Sequence, residues 1–148
     1  MTKQGIQISL AIIYLTIAIF LFEAVAAEPQ LIEVEKGIYQ DSKTGLMWQT
    51  GRSRSFTNKN DAARFVEDLT LGGHSDWRLP TLEERLNLKN TFDLKRNGSC
   101  TLKRLDGSYW TAETKMKTQP GRLEPNNECG GGYDFILKSK GYVRAVRP

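Results

Sequence analysis

One histidine and two cysteines are this chain's whole supply of imidazole and thiolate ligands. No CxxC pair and no paired-histidine spacing occurs, which excludes zinc fingers, thioredoxin-like redox motifs and helix-borne zinc protease sites. A Gly-rich phosphate loop is missing too, so nucleotide chemistry of the familiar kinds is excluded. The single histidine, His74, sits in a loop before Trp77, where a backbone-bonded structural role is expected rather than that of a general base. The Glu83–Glu84 pair opens a helix, and the positive helix terminus accounts for it. With no Ser-His-Asp set or histidine cluster, the expectation is a protein that is not an enzyme and holds no resident cofactor. The chain also lacks internal repeats and low-complexity linkers. At 148 residues it reads as one domain.

What the chain does have begins at its N-terminus. Lys3 and the amino terminus supply a positive start, Ile6 to Phe22 is an apolar run diluted by Gln7, Ser9 and Thr16, and Ala24-Val25-Ala26-Ala27 follows with small residues. Residues 1–27 therefore read as an export signal, cut after Ala26 or Ala27. The competing reading is an uncleaved inner-membrane anchor over residues 6–22, because the run approaches the ~18 residues that cross a bilayer. Either way residues 28–148 form the domain, placed in the periplasm or outside the cell. In that oxidising compartment Cys100 and Cys129 are most simply a disulfide.

Local patterns give the elements. Leu31–Glu35 and Gly37–Gln40 read as strands. Asp41-Ser42-Lys43-Thr44-Gly45 is a turn, with Asp41 bonding the backbone ahead and Gly45 free to take a positive φ. Leu46–Gln49 completes a hairpin. Thr57 or Asn58 caps a helix to about Leu69, with Ala62, Phe65, Val66 and Leu69 on one face. Gly72–Gly73 reads as a left-handed helix stop, Leu79 is extended before Pro80, and Thr81-Leu82-Glu83-Glu84 is a capping box. The helix it opens runs to Lys89 or Asn90, with Leu82 and Leu86 expected on its buried side. Ser108–Thr111 reads as a short aromatic strand, Tyr133–Leu137 and Tyr142–Arg147 as a closing hairpin. The rest is irregular, and a disulfide would pin it. Trp48, Trp77 and Trp110 are expected in the core; Asp76 and Arg78 are expected to pair or to bond nearby backbone.

Four blocks carry a resemblance: Asp41–Gln49, Gly72–Thr81 with its Trp-Arg-Leu-Pro-Thr centre, Tyr109-Trp110-Thr111, and Tyr142–Arg147. Together they resemble the Lcl C-terminal domain family of exported bacterial domains. The resemblance implies an α+β domain on the C-type-lectin-like scaffold that formylglycine-generating enzymes also use. It implies two helices, a small twisted antiparallel sheet and long disulfide-pinned loops. Those enzymes hold copper with a cysteine pair, but Cys100 and Cys129 do not lie in that motif. The family's adhesin context implies sulfated-polysaccharide binding and trimers. This chain has no collagen-like repeat ahead of the domain, so no oligomeric state is carried over.

Two stretches are candidates for binding, the second against the reading of a polar turn before Cys129. Between Lys95 and Arg122 stand Lys95, Arg96, Lys103, Arg104, Lys115, Lys117 and Arg122 against only Asp106 and Glu113, an excess of +5 where the whole chain carries +4. Such a stretch attracts polyanions without reading their sequence. In an exported protein the expected partner is an anionic polysaccharide or another envelope polymer, not a specific nucleic acid; the alternative is a merely solvated loop. Glu124-Pro125-Asn126 resembles the calcium and sugar motif of C-type lectins, with Glu124, Asn126 and Glu128 as candidate Ca2+ ligands. Hard Ca2+ asks for six to eight oxygens, and the Trp-Asn-Asp block that completes the lectin site is absent. The expectation is thus non-catalytic binding through the basic loops, with calcium-dependent sugar binding as one alternative. The other is an assembly module docking through an apolar patch onto an envelope or secretion partner.

Overall fold

The computed structural model describes residues 28–102, 105–113, 119–126 and 131–148. Its strands and helices run β1 (Leu31–Glu35), β2 (Ile38–Asp41), β3 (Met47–Gln49), α1 (Lys59–Glu67), α2 (Leu82–Asp93), β4 (Gly121–Pro125), β5 (Tyr133–Leu137) and β6 (Val146–Arg147). Four strands form one antiparallel sheet in the order β1-β2-β3-β6, and β4 pairs with β5 in a second. The class is α+β with two helices and small antiparallel sheets.

Side chains of the inner strands alternate between two buried clusters, while the edge strand β1 is exposed beyond Leu31. Leu31, Tyr39, Trp48 and Val146 turn one way and pack with Leu88, Cys100 and Leu102. Ile38 turns the other way, into a cluster with Phe56, Ala62, Val66, Trp77, Leu79, Trp110, Val143 and Ala145. All three tryptophans are buried. Asp41 bonds the Lys43 amide at 2.9 Å and Gly45 sits at φ +77°, so the β2–β3 turn forms as its sequence dictates.

Helix α1 is capped by Asn58, whose Oδ1 accepts from the Asp61 amide while its Nδ2 donates to the Asp61 carboxylate. The capping box at Thr81 and Glu84 is complete in both directions. Helix α2, however, runs on to Asp93 and buries Arg85, Leu88 and Thr91, not Leu82 and Leu86, which are half-buried. The displacement has a cause in Arg85. Its guanidinium reaches under the helix to the Gly121 carbonyl at 3.1 Å and stacks on Tyr109 at 4.9 Å, so a charged residue holds an interior position that periodicity assigns to leucine.

Two local expectations are replaced. Gly72 and Gly73 do not stop α1, which ends at Glu67 with Asp68 as cap in a right-handed conformation. They lie at φ +62° and +69° in a two-residue turn that pairs Leu71 with His74. Two consecutive positive φ values are the demand of that turn, and glycine meets it without a steric cost. The closing hairpin does not form either. β5 pairs with β4 from Gly121↔Leu137 to Pro125↔Tyr133, while the last segment joins Tyr109, Arg78 and β3. Period-two alternation marks a strand but not its partner. Here Gly121 selects it: any Cβ at that position would lie 2.3 Å from the Phe135 ring.

Candidate functional site

The end of α2 builds the site. Lys95 is the one non-glycine residue at positive φ among the described residues, at +55°. Its amide donates to the Phe92 carbonyl at 3.0 Å and the Arg96 amide to the Thr91 carbonyl at 2.9 Å. These are the two bonds of a left-handed helix stop that normally takes glycine. A lysine there costs about 1 kcal/mol of backbone strain, and both Lys95 and Arg96 stay exposed.

The Arg96 carbonyl accepts from the Gln30 amide at 2.7 Å, and the Gln30 carbonyl accepts from the Ser42 amide at 2.8 Å. Gln30 also donates its side-chain amide to the buried Asp41 carboxylate. The chain start, the β2–β3 turn and the end of α2 are thereby clamped together. Between them lies a 210 Å3 pocket lined by Gln30, Lys43, Thr44, Asn87, Asn90, Thr91, Leu94 and Arg96. Two cations, three amides and two hydroxyls line it, and no acid does. Such a surface donates hydrogen bonds to sulfate, carboxylate or sugar hydroxyls and repels none of them. Sequence reasoning found Arg96 but missed Lys43, Asn87 and Asn90. Lys43 stood in a motif read wholly as a turn, and the two asparagines project from a helix whose inward face was misassigned.

The other predicted cations divide. Arg122 lies on β4, and its guanidinium is engaged by the Glu124 carboxylate two residues along the strand. The neighbours cancel: Arg122 is a neutralised cation, and Glu124 gives its oxygen to a guanidinium rather than holding it open for Ca2+. Asn126 bonds Gly132 through its backbone and meets Asp134 at a long 3.5 Å. No group of three or more His, Cys, Asp or Glu side chains suited to a metal occurs among the described residues. Lys103, Arg104, Lys115, Lys117, Glu128 and Cys129 lie outside the described residues. The described residues Ala112 and Glu113 are anchored to both helices. The Glu113 carboxylate accepts from the Leu82 amide at the start of α2, and Lys59 at the start of α1 donates to the Ala112 and Glu113 carbonyls. Burial holds the Lys59 ammonium below the ordinary lysine range.

Cys100 is buried, and Cys129, its expected partner, lies outside the described residues; as a thiol, Cys100 is pushed by burial up to about 11. His74 contributes backbone: its amide and carbonyl pair with Leu71 at 3.1 Å, and the Trp77 indole donates to both carbonyls of that turn.

The remaining charges of the signature blocks bind one another. Arg78 and Glu84 form a two-pronged pair at 2.9 and 2.7 Å, and Arg147 forms another with Asp76 at 2.6 and 3.0 Å. Asp76 and Arg78 thus each pair, though not with one another. Arg144, only 3% exposed, donates to the Gln49 and Thr50 carbonyls and to the Tyr109 hydroxyl. Burial lowers the buried Arg85 to about 10, which leaves it charged at neutral pH. Every arginine in Asp76-Trp77-Arg78 and Val143-Arg144-Ala145-Val146-Arg147 is thus committed to the scaffold.

No curated protein and no solved structure matches the chain. The family model of the Lcl C-terminal domain matches residues 37–147, from β2 through the committed arginines to β6, and the chain belongs to that family.

Proposed function

We propose that this is a non-catalytic, exported binding module that holds an anionic polymer, with an acidic or sulfated polysaccharide of the envelope or its surroundings as the partner. The contact surface is the end of α2 and the turn beside it, Lys95, Arg96 and Lys43, and the sequence adds the cations Lys103, Arg104, Lys115 and Lys117, which lie outside the described residues. One observation carries the reading: Lys95 and Arg96 stand exposed on a strained helix stop beside a pocket with no acid in its lining. Strain retained where glycine would relieve it points to a use for the side chain. Residues 1–27 serve as the export signal in this reading, Cys100 and Cys129 pair in the oxidising compartment, and the domain follows the C-type-lectin-like arrangement.

The test is retention of the exported domain on immobilised heparin across a salt gradient, with and without a calcium chelator. Polyanion binding through several cations falls steeply with salt, and Lys43→Ala with Arg96→Ala is expected to elute much earlier than the parent. Retention that ignores salt, or that the double variant leaves unchanged, overturns the proposal. Retention lost on chelation moves the site to Glu124, Asn126 and Glu128.

A further inference from the structure

A second and larger recess lies away from the α2 stop. It encloses about 600 Å3 and is lined by Arg54, Phe56, Asp61, Arg64, Phe65, Asp68, Leu69 and Thr70. Four of these residues, Asp61, Arg64, Phe65 and Asp68, come from α1 and its cap at spacings of three and four, so one wall is a helix side about two turns long, roughly 10–12 Å. The opposite wall is the Arg54–Phe56 segment, held in place by the paired bonds between Phe56 and Gly141. The floor is aromatic, with the Phe56 and Phe65 rings 5.7 Å apart. Arg54 stands with its guanidinium 4.7 Å from the Phe56 ring, a stacked position that fixes it at the lip.

The charges around this floor are unevenly spent. Asp61 is already bonded by the Asn58 side chain. Arg54 and Arg64 make no ion pair among the described residues, and neither does Asp68. Two available guanidiniums over an apolar floor, with one available carboxylate at the far end, complement an apolar side chain flanked by acids. A uniformly sulfated chain would meet Asp68 head-on and find the apolar Phe65 and Leu69, which return no hydrogen bond. A wall about 10–12 Å long spans three or four residues of extended polypeptide at ~3.3 Å each.

We propose that this groove docks a peptide segment of a partner protein, one that presents an aromatic or leucine side chain to the half-buried Phe65 and Leu69 and carboxylates to Arg54 and Arg64. The site is separate from the Lys43–Arg96 surface, and the two succeed or fail independently. The probe is a random twelve-residue peptide display library panned on the domain. The doubly substituted Arg54→Glu, Arg64→Glu domain serves as counter-selection, both positions being exposed so that the fold is kept. The winning peptide is then synthesised and titrated against the labelled domain by NMR. A consensus of one large apolar residue beside Asp or Glu is expected. Shifts should centre on Phe65, Asp68 and Leu69, the Arg64→Glu domain should bind more than tenfold more weakly, and heparin retention should stay unchanged. The proposal is overturned by no enrichment over the counter-selection, a basic consensus, or shifts that map to Lys43 and Arg96. Concentration-dependent self-association abolished by Arg64→Glu also overturns it, since a second copy would then occupy the groove.

Discussion

The signature segment from Asp76 to Glu84 and the segment from Lys95 to Arg122 are both rich in charge, yet they spend it in opposite ways. In the first, Asp76 holds Arg147, Arg78 holds Glu84, and Glu84 also closes the cap of α2. In the second, among the described cations, Lys95 and Arg96 are exposed while Arg122 is bound to Glu124. Charge committed inside a scaffold fixes geometry. Charge left at a surface attracts a partner. The lesson is that a family fingerprint and a binding site need not coincide: here the most recognisable residues are the least available ones.

The comparison breaks hardest at Trp77. Its ring is buried in the first core and its indole bonds the Leu71 and His74 carbonyls. Trp77→Ala is expected to cost about 3–5 kcal/mol, as for other large-to-small aromatic changes in a core. Chemical denaturation should show a lowered midpoint. A loss near that of a surface substitution would mean that the signature is not the scaffold.

Next in size is Glu84. Glu84→Ala removes the cap reciprocity and the partner of Arg78, an expected loss of about 1–2 kcal/mol. The pH dependence carries a sign. Arg78 beside Glu84, and Arg147 beside Asp76, hold both carboxyls below the ordinary carboxylate range. A group whose folded pKa is depressed stabilises above its unfolded value, near ~4 for these side chains, and loses that contribution as pH falls through the folded value. Thermal melts of the parent should therefore steepen in their decline below about pH 4, and Glu84→Gln should flatten that limb. An identical acid limb in the variant would show that Glu84 contributes nothing through its charge.

How far the sequence disclosed this division can be judged residue by residue. The Asp41–Gly45 turn and the Thr81–Glu84 cap were legible because each rests on bonds within a few residues. The pairing of Asp76 with Arg147 was not, since a contact 71 residues apart leaves no local pattern, and that of Arg78 with Glu84 crosses from the extended segment to the helix start, where no fixed periodicity applies. Arg85 misled for a sharper reason: hydrophobic periodicity assumes that charges face water, and this one is satisfied indoors by a carbonyl and a tyrosine ring. Within the candidate site, composition located Lys95 and Arg96 but not Lys43, which only tertiary packing brings beside them.

Lys95 sharpens the contrast from the surface side. Lys95→Gly relieves the left-handed strain at the end of α2 and is expected to stabilise the domain by about 0.5–1 kcal/mol. The same change removes a cation, so heparin elution should move to lower salt. Opposite movements of stability and binding are the mark of a residue kept for its charge. A variant that melts later and binds as well as the parent would remove Lys95 from the site.

The smallest effect is also the most discriminating. Arg122 belongs by sequence to the basic stretch but is neutralised by Glu124 on the same strand face. Both side chains are partly exposed, so the pair itself contributes little to stability, on the order of 0–1 kcal/mol. Arg122→Ala is expected to leave heparin elution nearly unmoved, because the cation it removes was already answered. Glu124→Ala should do the reverse and raise the eluting salt by roughly the effect of one added cation, because it returns Arg122 to the surface. If Arg122→Ala instead weakens retention as much as Lys95→Ala, the polymer competes successfully for the guanidinium, and the division between committed and available charge runs through Glu124 rather than around it.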